Sequence, residues 1–354
     1  MTINRKLWWF ILLLFCQCAS PKEKTKDIPY LGDIELFPTK TIDKIGDSIF
    51  IGRVAAFKQE EDIIMIAEGE KHRILVLDTV FKLKNILGKS KGSAPGEFNY
   101  AYSPTLYNHK IYAYDGGNQR INIFDKNTGN FQNSLKLPFR LTGIQKQFYI
   151  ANNANIYGAT DPEKNGEMLL RLDSNGKLIK KFGENILKDY YTTEEIKLNA
   201  NYKIISGNNS NIIGIGVSNA VVEIYDIDGK KLNSFDLATD EPFKTHLKSL
   251  PKEIQEAPGA TISFITDMLV RKNRLYILGS EAIEENTIDN INIKHISVYD
   301  FSANHCKLIR KIRLNTRKKE DNLMSPNIFY VTEDEKTIYT QGLMTKNLYV
   351  FKMP

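Results

Sequence analysis

Short apolar runs, separated by polar turns, follow one another through most of the chain. The clearest group consists of Ile111–Asp115, Arg120–Asp125 and Asn130–Leu137, joined by turns rich in Gly and Asn. Within such runs apolar and polar residues alternate, which is the period of a β-strand. Asn, Asp and Gly in the turns favour tight connections between antiparallel strands. The pattern therefore predicts an all-β protein.

The same unit recurs six times, and a polar marker residue ends the second run of each copy. The markers lie between 47 and 74 residues apart, at Asp78, Asp125, Asp173, Asp226, Asp300 and Lys352. A further apolar run precedes each pair, so a unit holds four strands. Six four-stranded units around one axis make a six-bladed β-propeller. A large β-sandwich, the alternative, explains neither the six markers nor the incomplete last unit.

The last unit lacks a fourth strand because the sequence stops at Pro354. A spare apolar run, Ile34–Ile42, stands at the start of the body and is suited to fill that place. Pairing there removes an open sheet edge, which is otherwise prone to aggregation. We therefore predict one propeller over residues 34–354, closed by an N-terminal strand.

Three long segments belong to the same set of connections, those that link blades or join second to third strands. They are residues 184–202, 238–260 and 281–294. The first contains Thr192–Glu195, a capping-box pattern, and the second carries apolar residues at helical spacing, which predicts short helices. We expect helical insertions on this one face, forming a decorated binding surface. Simple packing of these segments on the propeller rim is the alternative.

The first residues have the pattern of an export signal. Arg5 and Lys6 precede the apolar run Leu7–Phe15, which is too short to span a bilayer. Cys16 and Cys18 follow it, and then a polar, lysine-rich stretch. The arrangement resembles a bacterial lipoprotein signal, which implies a signal over residues 1–18 and a flexible tether over 19–33. We expect lipidation of Cys18, with Cys16 as the alternative, and anchoring in the bacterial envelope at the outer membrane. An ordinary secretory signal with incidental cysteines is the alternative interpretation.

Three segments of the first two units also carry a family resemblance: Gly88–Phe98, Tyr112–Asp115 and Asn118–Asp125. They resemble the NHL-type propeller repeat, and in particular the six-bladed propeller lipoproteins of bacterial envelopes. Ala94 stands where those proteins often have Gly. The resemblance implies a fold and a location, and it says little about activity.

Charge and cysteine content exclude some classes of function. The chain has 48 basic and 42 acidic residues, and the surplus is spread along it. A nucleic-acid-binding face needs clustered basic residues, so nucleic acid is not an expected partner. Two of the three cysteines fall in the signal, so no disulfide framework is predicted for the body.

Candidate ligand-binding residues lie beside a turn on the decorated side. They are Asp115, Asn118 and Arg120. These side chains either bind a ligand or satisfy the backbone of the turn. The function we expect is a recognition module, without a cofactor, that binds a protein, peptide or glycan and is held at a membrane by its lipid.

A calcium-dependent hydrolase is the alternative function. Some six-bladed propellers that this chain resembles are lactonases that hold calcium in the channel with oxygen ligands. Oxygen-bearing side chains near the starts of the inner strands here are Glu97, Asn99, Asn201, Asp267 and Asn327. Calcium requires several such oxygens at one point, so this alternative requires these five side chains to converge.

Overall fold

The computed structural model describes the backbone over most of the body, and the side chains there except those of Ser280, Lys294 and Asn327. The described residues are 28–88, 90–143, 146–161, 167–184, 186, 203–208, 210–241, 243–245, 265–280, 294–315, 326–342 and 346–354.

The N-terminal part of the body forms short strands: β1 (Ile34–Leu36), β2 (Pro38–Ile42), β3 (Lys44–Ile45) and β4 (Ile49–Phe50). Six antiparallel sheets, the blades, follow in chain order. Blades 1 to 3 consist of β5 (Val54–Glu60), β6 (Ile63–Glu68), β7 (Arg73–Asp78) and β8 (Leu83–Leu87); β9 (Ala101–Tyr107), β10 (Lys110–Asp115), β11 (Arg120–Asp125) and β12 (Phe131–Lys136); and β13 (Phe148–Ile150), β14 (Ile156–Ala159), β15 (Leu169–Leu172) and β16 (Leu178–Phe182).

Blades 4 to 6 repeat this arrangement. They consist of β17 (Lys203–Gly207), β18 (Asn211–Gly216), β19 (Val221–Asp226) and β20 (Lys231–Asp236); β21 (Ile265–Arg271), β22 (Arg274–Ser280), β23 (Lys294–Phe301) and β24 (Cys306–Leu314); and β25 (Pro326–Val331), β26 (Thr337–Gly342) and β27 (Leu348–Lys352).

The six blades close into a ring around a channel. The first strand of each blade contacts the first strand of the next, and β25 of the last blade contacts β5 of the first. One cluster of buried apolar side chains fills each of the six seams between neighbouring blades. Both faces of a blade are therefore buried, which is why the second and third strands are almost continuously apolar. The predicted six-bladed β-propeller is confirmed.

The aspartate markers have a structural role at the ends of the third strands. Asp78 Oδ1 accepts hydrogen bonds from the N–H groups of Val80 and Lys82 at 3.0 and 2.8 Å. Asp226 does the same for Asp228 and Lys230 at 2.9 and 2.8 Å. A short acceptor at this place pairs the otherwise unsatisfied N–H groups of the turn, so the marker recurs with the blades.

The N-terminal segment forms two strands with separate partners rather than the single strand predicted over 34–42. β2 pairs antiparallel with β27 and so supplies the fourth strand of blade 6. β1 pairs parallel with β24 and extends blade 5 to five strands. The chain passes from one blade to the next at Phe37. Two open edges, rather than one, are covered by this segment.

Connections of different length leave the two ends of the blades. One end, the link face, carries the blade-to-blade links and the second-to-third turns, including 183–202, 237–264 and 281–293. The other end, the hairpin face, carries the first-to-second and third-to-fourth turns, and none of these exceeds five residues. Strand direction alternates within each blade, so this division follows from the topology.

Helical structure is minor in the described part of the chain. A 3-10 turn at Gly69–Lys71 and the helical residues 243–245 both lie in link-face connections. Phe243 is buried against blades 4 and 5. The remaining helical predictions, around Thr192–Glu195 and along 246–260, lie outside the described residues. Among those that are described, no helix is long and apolar enough to cross a membrane.

Candidate functional site

The predicted ligand residues of blade 2 form a buried polar cluster, which we call the blade-2 clamp (Asp115, Asn118 and Arg120). Asp115 is fully buried, and its Oδ2 accepts from Asn118 Nδ2 at 2.7 Å and from Arg120 Nε at 3.2 Å. Its Oδ1 accepts from the N–H of Asn99 at 2.8 Å. The three predicted residues are thus brought together around one carboxylate.

The clamp donates hydrogen bonds to backbone carbonyls of the link between β8 and β9. Arg120 donates through both terminal nitrogens to three carbonyls at 2.9 to 3.0 Å: Ser93, Ala94 and Glu97. Asn118 donates to the Gly92 carbonyl at 2.8 Å. Gly117 approaches so closely that a Cβ there would lie 2.1 Å from the Asn99 carbonyl oxygen. These contacts correspond to the second interpretation of the cluster, satisfaction of local backbone groups.

Two of the predicted calcium ligands lie in this same link. Glu97 accepts from the Ser90 hydroxyl at 2.7 Å and from the Ala94 N–H at 3.1 Å, and these bonds lower the pKa of its carboxyl. The Asn99 carbonyl accepts from Gly117 N–H at 2.8 Å. The described contacts therefore place Glu97 and Asn99 around the blade-2 clamp.

The third described candidate, Asp267, lies in the channel. It is 1% exposed on β21, and Oδ1 accepts from Gln147 Nε2 at 2.7 Å while Oδ2 accepts from the N–H of Phe329 at 3.1 Å. The carboxylate thereby connects blades 3, 5 and 6. Asn201 and the side chain of Asn327 lie outside the described part. Within that part, no three His, Cys, Asp or Glu side chains are grouped so as to hold a metal ion.

The channel itself holds a cavity with a volume of about 330 Å³. Its deep end is lined by buried residues such as Ser103 and Asp267, and its outer lining includes Glu61 and Glu333, both exposed in first-to-second turns. The cavity therefore opens on the hairpin face, opposite the long connections. Every first strand or the residue before it contributes to the wall: Lys58, Thr105, Gln147, Ser206, Asp267 and Tyr330.

A lysine on β5 projects into this wall. Lys58 donates from Nζ to Thr105 Oγ1 on the next blade, and Glu60 Oε1 lies 3.9 Å from the same nitrogen. Burial lowers the pKa of Lys58, and nearby Arg271 lowers it further, while Glu60 and Asp267 oppose the shift. Glu60 also accepts through Oε2 from the N–H of Leu106. Lys58 is thus partly buried and only loosely paired.

Arg271 on β21 lines the same cavity. Its guanidinium carbon lies 4.7 Å from the centre of the Tyr330 ring, a cation–π arrangement. Arg271 Nε donates to the Val331 carbonyl at 2.9 Å, and Nη1 donates to the Val270 carbonyl at 3.2 Å. These contacts fix the plane of the group, while its Nη2 donates to no atom of the described residues.

Lys58 and Arg271 were not candidates in the sequence, for a physical reason. The first strands of blades 1, 2, 5 and 6 each carry one extra residue near their start relative to the second strand. Such a bulge reverses the alternation of the side chains that follow it. Counting from the strand start therefore gives the wrong direction for Lys58. The sequence did contain one signal for such a site, a charged residue within an innermost strand.

Comparison with known proteins identifies the fold. No family model matches the sequence, and no curated protein matches it. Among solved structures, the chain is similar to a protein from Bacteroides fragilis described as exported (15% identity, 87% of each chain, TM-score 0.51). It is also similar to a member of the DUF4221 family from Bacteroides vulgatus (10% identity, 90% of this chain and 97% of the other, TM-score 0.53).

A third similar structure is the Cps50 (Swd1) β-propeller domain of Myceliophteria thermophila. Identity is 9% over 90% of this chain and 100% of the other, with a TM-score of 0.51. At such identities the similarity establishes the propeller fold alone.

Proposed function

We propose that the protein is an exported recognition module of the bacterial envelope, with NHL-type repeats, that binds a protein, peptide or glycan on its link face. The observation that carries this is the asymmetry of the connections: all long ones leave from the link face, and the hairpin face has only tight turns. Long loops on one side of a rigid scaffold are the usual arrangement of a binding surface. The six packed seams supply the rigid scaffold.

The proposed location includes a lipid on Cys18 and a tether to the outer membrane. The similarity to an exported Bacteroides protein supports export. Residues 28–33, within the segment predicted as tether, lie on the outer rim of blade 5, where Leu31 N–H donates to the Ile309 carbonyl. A chain that arrives at the rim leaves both faces of the propeller accessible, which suits a tethered binding module.

Site-specific photo-crosslinking in the producing bacterium tests the face. A photoreactive residue replaces Lys44, exposed on the link face in β3, and a matched one replaces Lys272, exposed on the hairpin face. We expect a discrete, saturable adduct from position 44 and none from position 272. Loss of the adduct with protease or with glycosidase then identifies the partner class. Adducts only from position 272 would contradict the proposal.

Metabolic labelling with a palmitate analogue tests the anchor. We expect label in the wild type and in Cys16→Ala, and none in Cys18→Ala. Label lost only in Cys16→Ala would move the anchor to that cysteine, and an unlabelled wild type would remove the lipid altogether.

A further inference from the structure

We propose that the channel cavity on the hairpin face is a separate binding site for a small organic monocarboxylate, held by Lys58 and Arg271. This site is on the opposite side of the propeller from the proposed recognition surface and does not depend on it.

Two acidic groups of the inner wall already accept hydrogen bonds from the protein. Glu60 accepts from the N–H of Leu106, and Asp267 accepts from Gln147, Phe329 and its neighbour Met268. The basic groups retain capacity. Lys58 has three donors, of which Thr105 takes one, and Arg271 Nη2 has no acceptor among the described residues. The cavity therefore presents donors, and it is complementary to an acceptor.

A second observation independently points to a ligand. Ser103 is 0% exposed, lines the deep end of the cavity, and its hydroxyl has no hydrogen-bond partner among the described residues. Ser103 is the extra residue of the β9 bulge, with φ of 28°. A buried hydroxyl without a partner is unfavourable, and a polar ligand atom in the cavity would satisfy it.

The geometry favours a carboxylate among anions. The Arg271 guanidinium lies over the Tyr330 ring, and its Nη2 together with the Lys58 ammonium offers donors for the two oxygens of a carboxylate. Glu61 and Glu333 at the exposed mouth repel a doubly charged anion more strongly than a singly charged one. The aromatic side chains of Tyr107, Tyr149 and Tyr330 in the wall suit an organic body. The ligand class is therefore a monocarboxylate with an apolar portion.

Calorimetric titration of the purified protein with phenylacetate tests the site, with the neutral isostere phenylacetamide and inorganic phosphate as comparison ligands at constant ionic strength. We expect one phenylacetate per chain and at least tenfold weaker binding of the amide and of phosphate. Arg271→Met and Lys58→Met should each weaken phenylacetate at least tenfold. Lys272→Met removes an adjacent exposed charge and should leave binding unchanged.

A second readout does not depend on those variants. Phenylacetate should protect Lys58 from acetic anhydride, as followed by mass spectrometry, and should leave Lys272 unprotected. Absence of binding, equal affinity for the amide, or an equal effect of Lys272→Met would overturn the proposal, as would unprotected Lys58. Tighter binding of phosphate would overturn the assignment to a carboxylate. None of these outcomes affects the crosslinking result on the link face.

Discussion

The blade-2 clamp and the channel cavity both contain charged residues that are partly or fully buried, yet they differ in how completely the hydrogen-bonding groups of those residues are used. In the clamp, Asp115 accepts three hydrogen bonds, and Arg120 donates to three backbone carbonyls in addition. In the cavity, Lys58 and Arg271 keep donors that no described residue accepts. A buried charge whose bonds are all internal holds the chain together, whereas one with spare capacity is available to a ligand.

The largest expected effect is on the clamp. Asp115→Ala leaves Arg120, Asn118 and an N–H group buried without their acceptor, so we expect a loss of about 3–5 kcal/mol in the free energy of unfolding. Denaturant unfolding of the purified protein measures it. Asp228→Ala removes an exposed partner of Arg171 and should change the free energy by less than about 1 kcal/mol. Equal effects of the two substitutions would contradict a structural clamp.

His295 on blade 5 differs from the charged residues of both regions, because folding keeps its buried imidazole neutral. His295 is 1% exposed; burial, with Lys311 and Arg313 nearby, lowers its pKa to about 3. Since the unfolded chain has the ordinary pKa of about 6.5, it binds the proton first. Stability should therefore be complete above pH 6.5 and fall towards pH 3, by about 1.4 kcal/mol per pH unit from this group.

Denaturant unfolding between pH 4 and 7 checks this slope. His295→Phe should reduce the dependence on pH in that window, and His109→Gln, at an exposed turn, should not. An unchanged slope in His295→Phe would mean that the imidazole is not held neutral.

The smallest expected effect on stability belongs to the channel. Lys58→Met keeps the length of the side chain and removes a charge whose nearest carboxylate oxygen is 3.9 Å away. Because the lysine is loosely paired, we expect the free energy of unfolding at pH 7 either to rise or to fall by less than about 1 kcal/mol. The melting temperature checks it. A loss as large as that of Asp115→Ala would remove the distinction between the two regions.

The sequence was informative about the fold because its signals are local. Four of the aspartate markers, Asp78, Asp125, Asp173 and Asp226, bind N–H groups of their own turns, so the blade period is visible in the chain itself. The predicted pairing of residues 34–42 with the last blade followed from one missing strand, and β2 confirms it for residues 38–42. The extra pairing of β1 with blade 5 was not predicted, because no strand was missing there.

The sites were less predictable because they depend on contacts between distant segments. Asp115, Asn118 and Arg120 could be picked out as a group because they share one turn. The backbone carbonyls that accept from Asn118 and Arg120 lie more than twenty residues away along the chain. The role of the group could therefore not be decided from the sequence. Lys58 and Arg271 are brought to one cavity only by closure of the ring, and bulges change their direction.

The parallel pairing of β1 with β24 has a mechanical consequence. The chain reaches the propeller near Ile309, runs alongside β24, and only then continues into the closing strand β2. Tension applied at the N-terminal end would therefore load β1 first, along its own axis and in shear, so that its bonds to β24 resist together. The closing strand β2 bears load only after the pairing of β1 with β24 has ruptured. The pairing of β1 therefore protects the closure of the ring against tension from the N-terminal end.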